Sequence, residues 1–95
     1  MAQWTFITNH GAVLALVAKH SDITIREIAV QLVLTERPIR RILADLEASG
    51  YLHKQRIGRN NRYEVNFSGE LRRKGLHEGT VGALIQLLND SMGSE

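Results

Sequence analysis

The stretch TERPIRRILADLEASGYL, residues 35–52, decides the fold of this 95-residue chain. Ile39, Ile42, Leu43 and Leu46 recur at the spacing of one helical face, which predicts a helix over 36–49. Thr35 stands where an N-cap belongs, and Gly50 follows in the C′ position, where a residue without Cβ can take a positive φ. Pro38 is then the third helical residue. Its missing N–H is among the first four, which have no partner inside a helix, so the ring removes no helical bond.

The arginines are harder to explain by stability. Arg37, Arg40 and Arg41 occupy the first two turns, where cations oppose the helix dipole at roughly 0.3–1 kcal/mol each. Arg37 and Arg41 are also like charges four residues apart. On a helical projection Arg37, Arg41, Ala44 and Ala48 line the face opposite the apolar stripe, and Arg40 lies on the flank. A face that is cationic at its tip and slim behind suits insertion into a DNA major groove. Arginine also forms the fork that reads guanine with two hydrogen bonds. The structural alternative is ordinary surface ion pairing, Arg41 with Asp45 and Arg40 with Glu36. Arg37 has no such partner along the helix.

Outward toward the N-terminus, Ile25, Ile28, Ala29 and Leu32 repeat the helical spacing in a second, shorter helix. Thr24 is its expected N-cap, and Glu27 three residues on completes a capping box. Residues 9–20 predict a first helix with almost no polar face. A helix apolar on several sides is either central to the domain or part of a subunit interface. Trp4 and Phe6 are expected to pack on the first or last helix.

Outward toward the C-terminus the period changes. In RYEVNF the residues Tyr63, Val65 and Phe67 alternate with Arg62, Glu64 and Asn66, which reads as a strand. YLHKQRI alternates less cleanly but supplies the partner, and GRNN between them offers glycine and asparagine for the left-handed conformations of a hairpin turn. Residues 68–79 are polar and broken by glycine, a linker in which Arg72, Arg73 and Lys74 read as solvated rather than as a DNA-binding arm. Residues 80–90 predict a last helix, apolar around most of its circumference, and 91–95 a tail.

Bulk properties bound the function. Hydrophobic residues make up 43% of the chain and charged residues 23%, ordinary for a water-soluble domain. Net charge is only +2, but 10 of the 12 lysines and arginines lie between Arg37 and Lys74, and residues 51–63 carry Lys54, Arg56, Arg59 and Arg62 with no acid among them. A localised basic stripe fits a polyanionic partner. The absence of cysteine excludes disulfides, thiolate metal sites and a cysteine nucleophile, and suits the cytoplasm. The longest apolar run, residues 12–18, is too short to cross a bilayer, and no basic-then-apolar leader opens the chain. His10, His20, His53 and His77 lack metal-ligand spacing, and no phosphate loop or nucleophile elbow is present, so neither metal, cofactor nor enzymatic chemistry is expected.

Helix, short helix, tight turn, helix and β-hairpin is the order of a winged helix-turn-helix. TIREIAVQLVLTERPIRRILADLEASGYL, followed by KQRIGRNNRYEV, resembles the winged-helix transcription regulators of bacteria and archaea, in the MarR-like broad group. The resemblance covers roughly residues 9–67, so 1–67 is expected to form the domain, in a minimal version lacking longer flanking helices. It implies an α+β, mainly α fold with a three-helix core, a hairpin wing and, here, an extra C-terminal helix. It implies double-stranded DNA as partner, with helix 36–49 in the major groove and hairpin 51–67 as the wing. The residues expected to touch DNA are Thr35, Arg37, Pro38, Arg40, Arg41, Arg59, Asn60 and Arg62. Arginine is electrostatically favoured in a narrow minor groove, which suits the wing tip. One departure stands out. The turn usually carries glycine where Val33 stands, so either a different backbone path or a re-angled helix pair is expected. The two most apolar helices predict a homodimer built from the termini. The competing function is a winged helix used for protein–protein contact inside a larger assembly, since fold does not dictate function.

Overall fold

The computed structural model describes residues 7–69 and 80–92. Its elements are α1 (Asn9–Lys19), α2 (Ile25–Leu32), α3 (Glu36–Ala48), β1 (Leu52–Ile57), β2 (Asn60–Val65) and α4 (Val81–Met92). The element order and the mainly helical content are those expected. Trp4, Phe6, Arg72, Arg73 and Lys74 lie outside the described residues, as does most of the expected linker.

The apolar run of α1 makes it the hub. Five consecutive residues, Val13, Leu14, Ala15, Leu16 and Val17, are buried. Two neighbouring helices could cover only part of that circumference. Here α2, α3, β2 and α4 all pack against it. The cover that α1 demands is therefore supplied within one chain. Ile28, Ile39, Val13 and Val17 are fully enclosed at the centre, each removing apolar surface worth roughly 1.5–3 kcal/mol from water.

The capping box at the start of α2 is complete. The Glu27 N–H donates to the Thr24 hydroxyl at 3.1 Å, and the Thr24 N–H donates to the Glu27 carboxylate at 2.8 Å. That backbone hydrogen bond, reinforced by the Thr24 side chain, holds the Glu27 carboxyl below its ordinary range.

The end of α2 corrects an expectation. Val33 does not divert the turn; it adopts the left-handed conformation itself, at φ 56° and ψ 48°. The Val33 N–H reaches the Val30 carbonyl at 3.3 Å and the Leu34 N–H reaches the Ala29 carbonyl at 2.9 Å. These are the two bonds of a Schellman closure, the geometry glycine usually provides. Packing explains why the path survives the wrong residue. Ile28, Ala29 and Ile39 are buried on either side of the turn, with Leu32 and Leu34 packed against them, so the two helices dictate the connection.

At the other end of α3 the same closure uses its preferred residue. Gly50 has φ 82°, its N–H bonds the Glu47 carbonyl at 3.1 Å, and the Tyr51 N–H bonds the Leu46 carbonyl at 3.0 Å.

The hairpin is antiparallel, with Leu52 opposite Val65 and Ile57 opposite Asn60. Its turn is therefore two residues, Gly58 and Arg59, shorter than GRNN suggests. Gly58 alone carries the positive φ, 63°, while Asn60 and Asn61 belong to β2. Glycine first in a two-residue loop matches the strand twist. Tyr63 and Val65 are buried as their alternation predicts, but Phe67 lies past the end of β2 and is half-exposed, so it does not extend that face. A two-stranded sheet is marginal alone, and three bonds tie this one down. The Tyr63 N–H donates to the Ser21 carbonyl at 2.8 Å, joining β2 to the α1–α2 loop. The Asn66 N–H donates to the Tyr51 carbonyl at 2.9 Å, and the Asn66 side-chain amide to the Gly50 carbonyl at 3.2 Å.

α4 returns to the hub, burying Val81 and Ile85. The Gly82 N–H donates to the Phe67 carbonyl at 2.8 Å, and a Cβ at Gly82 would stand 2.7 Å from that oxygen, so only glycine permits the approach. α4 is less enclosed than its composition suggests, since Leu87 is 65% exposed.

Candidate nucleic-acid interface

The buried stripe of α3, Ile39, Ile42, Leu43 and Leu46, fixes its rotation about its own axis. Arg37, Arg41, Ala44 and Ala48 consequently face outward, all exposed. Arg37 and Arg41 have no hydrogen-bond or ion-pair partner among the described residues. The expected alternative for Arg41 is absent because Asp45 is engaged elsewhere, accepting from the His10 ring at 2.8 Å across to the start of α1. The alternative for Arg40 is present. Its guanidinium meets Glu36 at 3.3 Å in an exposed pair, an interaction worth little in water.

The tip of α3 is left open in a second way. Thr35 occupies the N-cap but its hydroxyl makes no capping bond. Pro38 is half-buried in the first turn, next to exposed Arg37. The first turn therefore combines a hydroxyl that makes no capping bond, backbone N–H groups without a partner inside the helix, and the Arg37 guanidinium, all donors suited to phosphate or base edges.

The hairpin divides its polar residues between two faces. Residues opposite each other on an antiparallel pair point the same way. Buried Leu52, Val65 and Tyr63 mark the face turned toward the helices. Lys54 lies opposite Tyr63, and Arg56 opposite Asn61, so Lys54, Arg56 and Asn61 continue that inner face toward the tip. Asn60, Arg62 and Glu64 stand on the outer face with His53 and Gln55. Arg59 is exposed in the turn, and the Arg56 Nε donates to the Gly58 carbonyl at 3.3 Å.

Clefts separate wing and helices toward the wing tip. One, of about 180 Å³, is lined by Arg40, Glu47, Lys54, Asn61 and Tyr63. Another, about 280 Å³, opens between the start of α2 and the tip of the wing and includes Arg26, Glu36, Arg59 and Asn60. Burial raises the Tyr63 phenol above its usual range, against a hydrogen bond from Asn61; Glu47 pushes the same way and Arg40 opposes it. Tyr63 thus stays a neutral phenol at the floor of the first cleft.

The expected contact residues fall into three groups. Thr35, Arg37, Pro38 and Arg41 share the exposed tip and outer face of α3. Arg40 flanks it on the wing side. Arg59 and Asn60 sit at the wing tip and line the second cleft, while Arg62 occupies the face of β2 turned away from the core. The inner trio of Lys54, Arg56 and Asn61 is not among the residues expected from sequence. A signal for it exists: counting back in twos from Val65 and Tyr63 reaches Asn61, and the hairpin register then selects Lys54 and Arg56.

Residues 8–53 match the family model for winged helix-turn-helix DNA-binding. The fold is a winged helix-turn-helix. The match spans α1 through the first residues of the wing, and so contains the whole helix-turn-helix pair and Arg37, Arg40 and Arg41. The family so described is DNA-binding, and the match supports DNA binding here. No curated protein matches the chain. Among the described residues, no three His, Asp or Glu side chains converge as metal ligands, and no helix is long and apolar enough to cross a membrane.

Proposed function

We propose that this winged helix is a cytoplasmic transcription regulator of the MarR-like group that reads specific double-stranded DNA sequences. Its α3 enters the major groove and its hairpin contacts the flanking backbone or minor groove. The observation that carries this reading is the outer face of α3. Arg37 and Arg41 are exposed, and unpaired among the described residues, at the end of the helix where positive charge is least favourable, backed by Ala44 and Ala48, which keep the rod slim. The role is binding rather than catalysis.

The regulator acts as a homodimer, and α4 is the element that joins it. The apolar surface of α1 is already covered within one chain, so the terminal contact narrows to the outer side of α4. There Ala83 and Leu87 are exposed and Leu84 and Leu88 half-buried, a stripe at helical spacing. A two-fold axis there would present two copies of α3 to half-sites about one duplex turn apart.

Selection of bound duplexes from a random pool tests binding, specificity and site symmetry together. Enrichment of a two-fold symmetric motif is the expected outcome. Binding should weaken with salt at a log–log slope of about −0.9 for each phosphate neutralised. A flat salt dependence would overturn the reading.

A further inference from the structure

Of the two outward arginines of α3, only Arg41 has an acid within reach along the helix. Asp45 stands four residues on, whereas the positions three and four away from Arg37 carry Val33, Leu34, Arg40 and Arg41. An Arg41–Asp45 pair would cover a guanidinium that DNA binding needs bare. Asp45 is instead turned toward α1, where its carboxylate accepts from the His10 Nε2 at 2.8 Å. Glu36, the acid of the first turn of α3, is likewise engaged away from the outer face, with Arg40 on the flank. The His10–Asp45 bond joins side chains that are both about half exposed, so it adds little to stability. The end of α1 strengthens the hold on Asp45. His10 is the second residue of that helix, whose first turn contains no acid of its own. Asp45 thus brings from α3 the negative charge that a helix N-terminus favours.

The geometry points to His10 as a positioning residue for DNA recognition: by holding Asp45 on the α1 side of α3, it keeps the Arg41 guanidinium free for the major groove. The inference rests on the DNA-binding function proposed above and adds to it a residue of α1 that acts without touching DNA. Without the ring, Asp45 is released to its neighbour one turn back, and DNA must break that pair before it meets Arg41. Exposed pairs of this spacing are weak, so the effect is modest in size. Its sign and its dependence on Arg41 set it apart. A bond that only fastened α1 to α3 would make His10 and Asp45 equally necessary. Here they act in opposite directions, His10 supporting binding and a released Asp45 opposing it.

The test is a titration of the duplex enriched by the selection above against the full chain and its variants at low salt, with thermal unfolding confirming that each is folded. His10→Ala should weaken binding about twofold, the strength of an exposed pair within a helix. His10→Gln, whose amide nitrogen falls close to the position of the ring Nε2 and donates to the same carboxylate, should bind as wild type does. Asp45→Asn should bind at least as tightly as wild type, and combining it with His10→Ala should remove the loss. In an Arg41→Ala background, His10→Ala should cost nothing further. The inference is overturned if Asp45→Asn weakens binding as His10→Ala does, for the bond then serves the fold. It is equally overturned if His10→Ala loses as much without Arg41 as with it, for the ring then meets DNA itself. Arg37→Ala separates the two levels. If it weakens binding while His10→Ala does not, His10 has no such part and the DNA-binding reading stands. If wild type retains no duplex at all, both fall together.

Discussion

The two helices of the helix-turn-helix are built to opposite standards at their ends. α2 starts well, with Thr24 and Glu27 exchanging both bonds of a capping box, and ends badly, with a β-branched residue at φ 56°. α3 starts badly, with an unused Thr35 hydroxyl and three arginines in its first two turns, and ends well, on Gly50 in a relaxed left-handed closure. The two poor ends adjoin, so the local conflicts of the pair collect between Val33 and Arg41. Val33 is 89% exposed, so burial of its own side chain does not repay its strain. Sequences usually agree with their fold at every level, and disagreement gathers where function or strain is located. The same stretch carries the exposed guanidinium groups. The well-made ends, by contrast, have their caps filled from within the chain, by Glu27 at the start of α2 and by the Schellman bonds at the end of α3.

The largest way to break this comparison is at the arginines. Arg37→Ala combined with Arg41→Ala should cost about 1–3 kcal/mol of duplex binding for each guanine no longer read, about tenfold or more overall by titration. The unfolding temperature should stay level or rise slightly, because cations leave a helix N-terminus. A loss of stability in step with binding would show that the arginines serve the fold. Next in size is Gly50→Val, which imposes at the good end the residue tolerated at the bad one. It should destabilise the domain by about 1–2 kcal/mol in denaturant unfolding, the cost of a Cβ in the left-handed region.

Smaller effects sharpen the contrast between the two caps. Thr24→Ala should lose about 1 kcal/mol, and Thr35→Ala less than half of that, because only the first hydroxyl makes a capping bond. Val33→Gly should gain about 0.5–1 kcal/mol, the relief of strain reduced by the greater freedom glycine has when unfolded. The smallest effect is a pH dependence. The folded-state value of Glu27 lies below the unfolded one, so its contribution is complete above pH 4.5 and fades as the pH falls through the lower folded value. Glu27→Gln should flatten that part of the acid unfolding curve.

Particular residues show what is legible in the sequence. Thr24 with Glu27, Gly50, and the stripe Ile39, Ile42, Leu43 and Leu46 act within a few residues of chain. Short-range hydrogen bonding and helical periodicity set their roles, and the structure agrees with each. The outer face of α3 follows from the same periodicity. Val33 defeats a local reading because strain is local whereas the packing of Ile28, Ala29 and Ile39 that enforces it is not. The inner face of the wing escapes such a reading because GRNN reads as the turn, which leaves Asn61 out of the strand. Only the two-residue turn at Gly58 and Arg59 brings Asn61 into the ladder opposite Arg56 and sets Lys54 opposite Tyr63.

By itself, then, the order of residues determined where helices begin and end, which side of α3 is apolar, and that positive charge concentrates after residue 36. These depend on neighbours within about two helical turns, whose interactions do not require the rest of the chain. Only the tertiary structure decided that α1 is sheathed by its own chain, that Asp45 serves His10 and leaves Arg41 open, and that Lys54, Arg56 and Asn61 turn toward α3. Each of these is settled by a partner distant in sequence, and a partner's position exists only once the core has closed around Val13, Val17, Ile28 and Ile39.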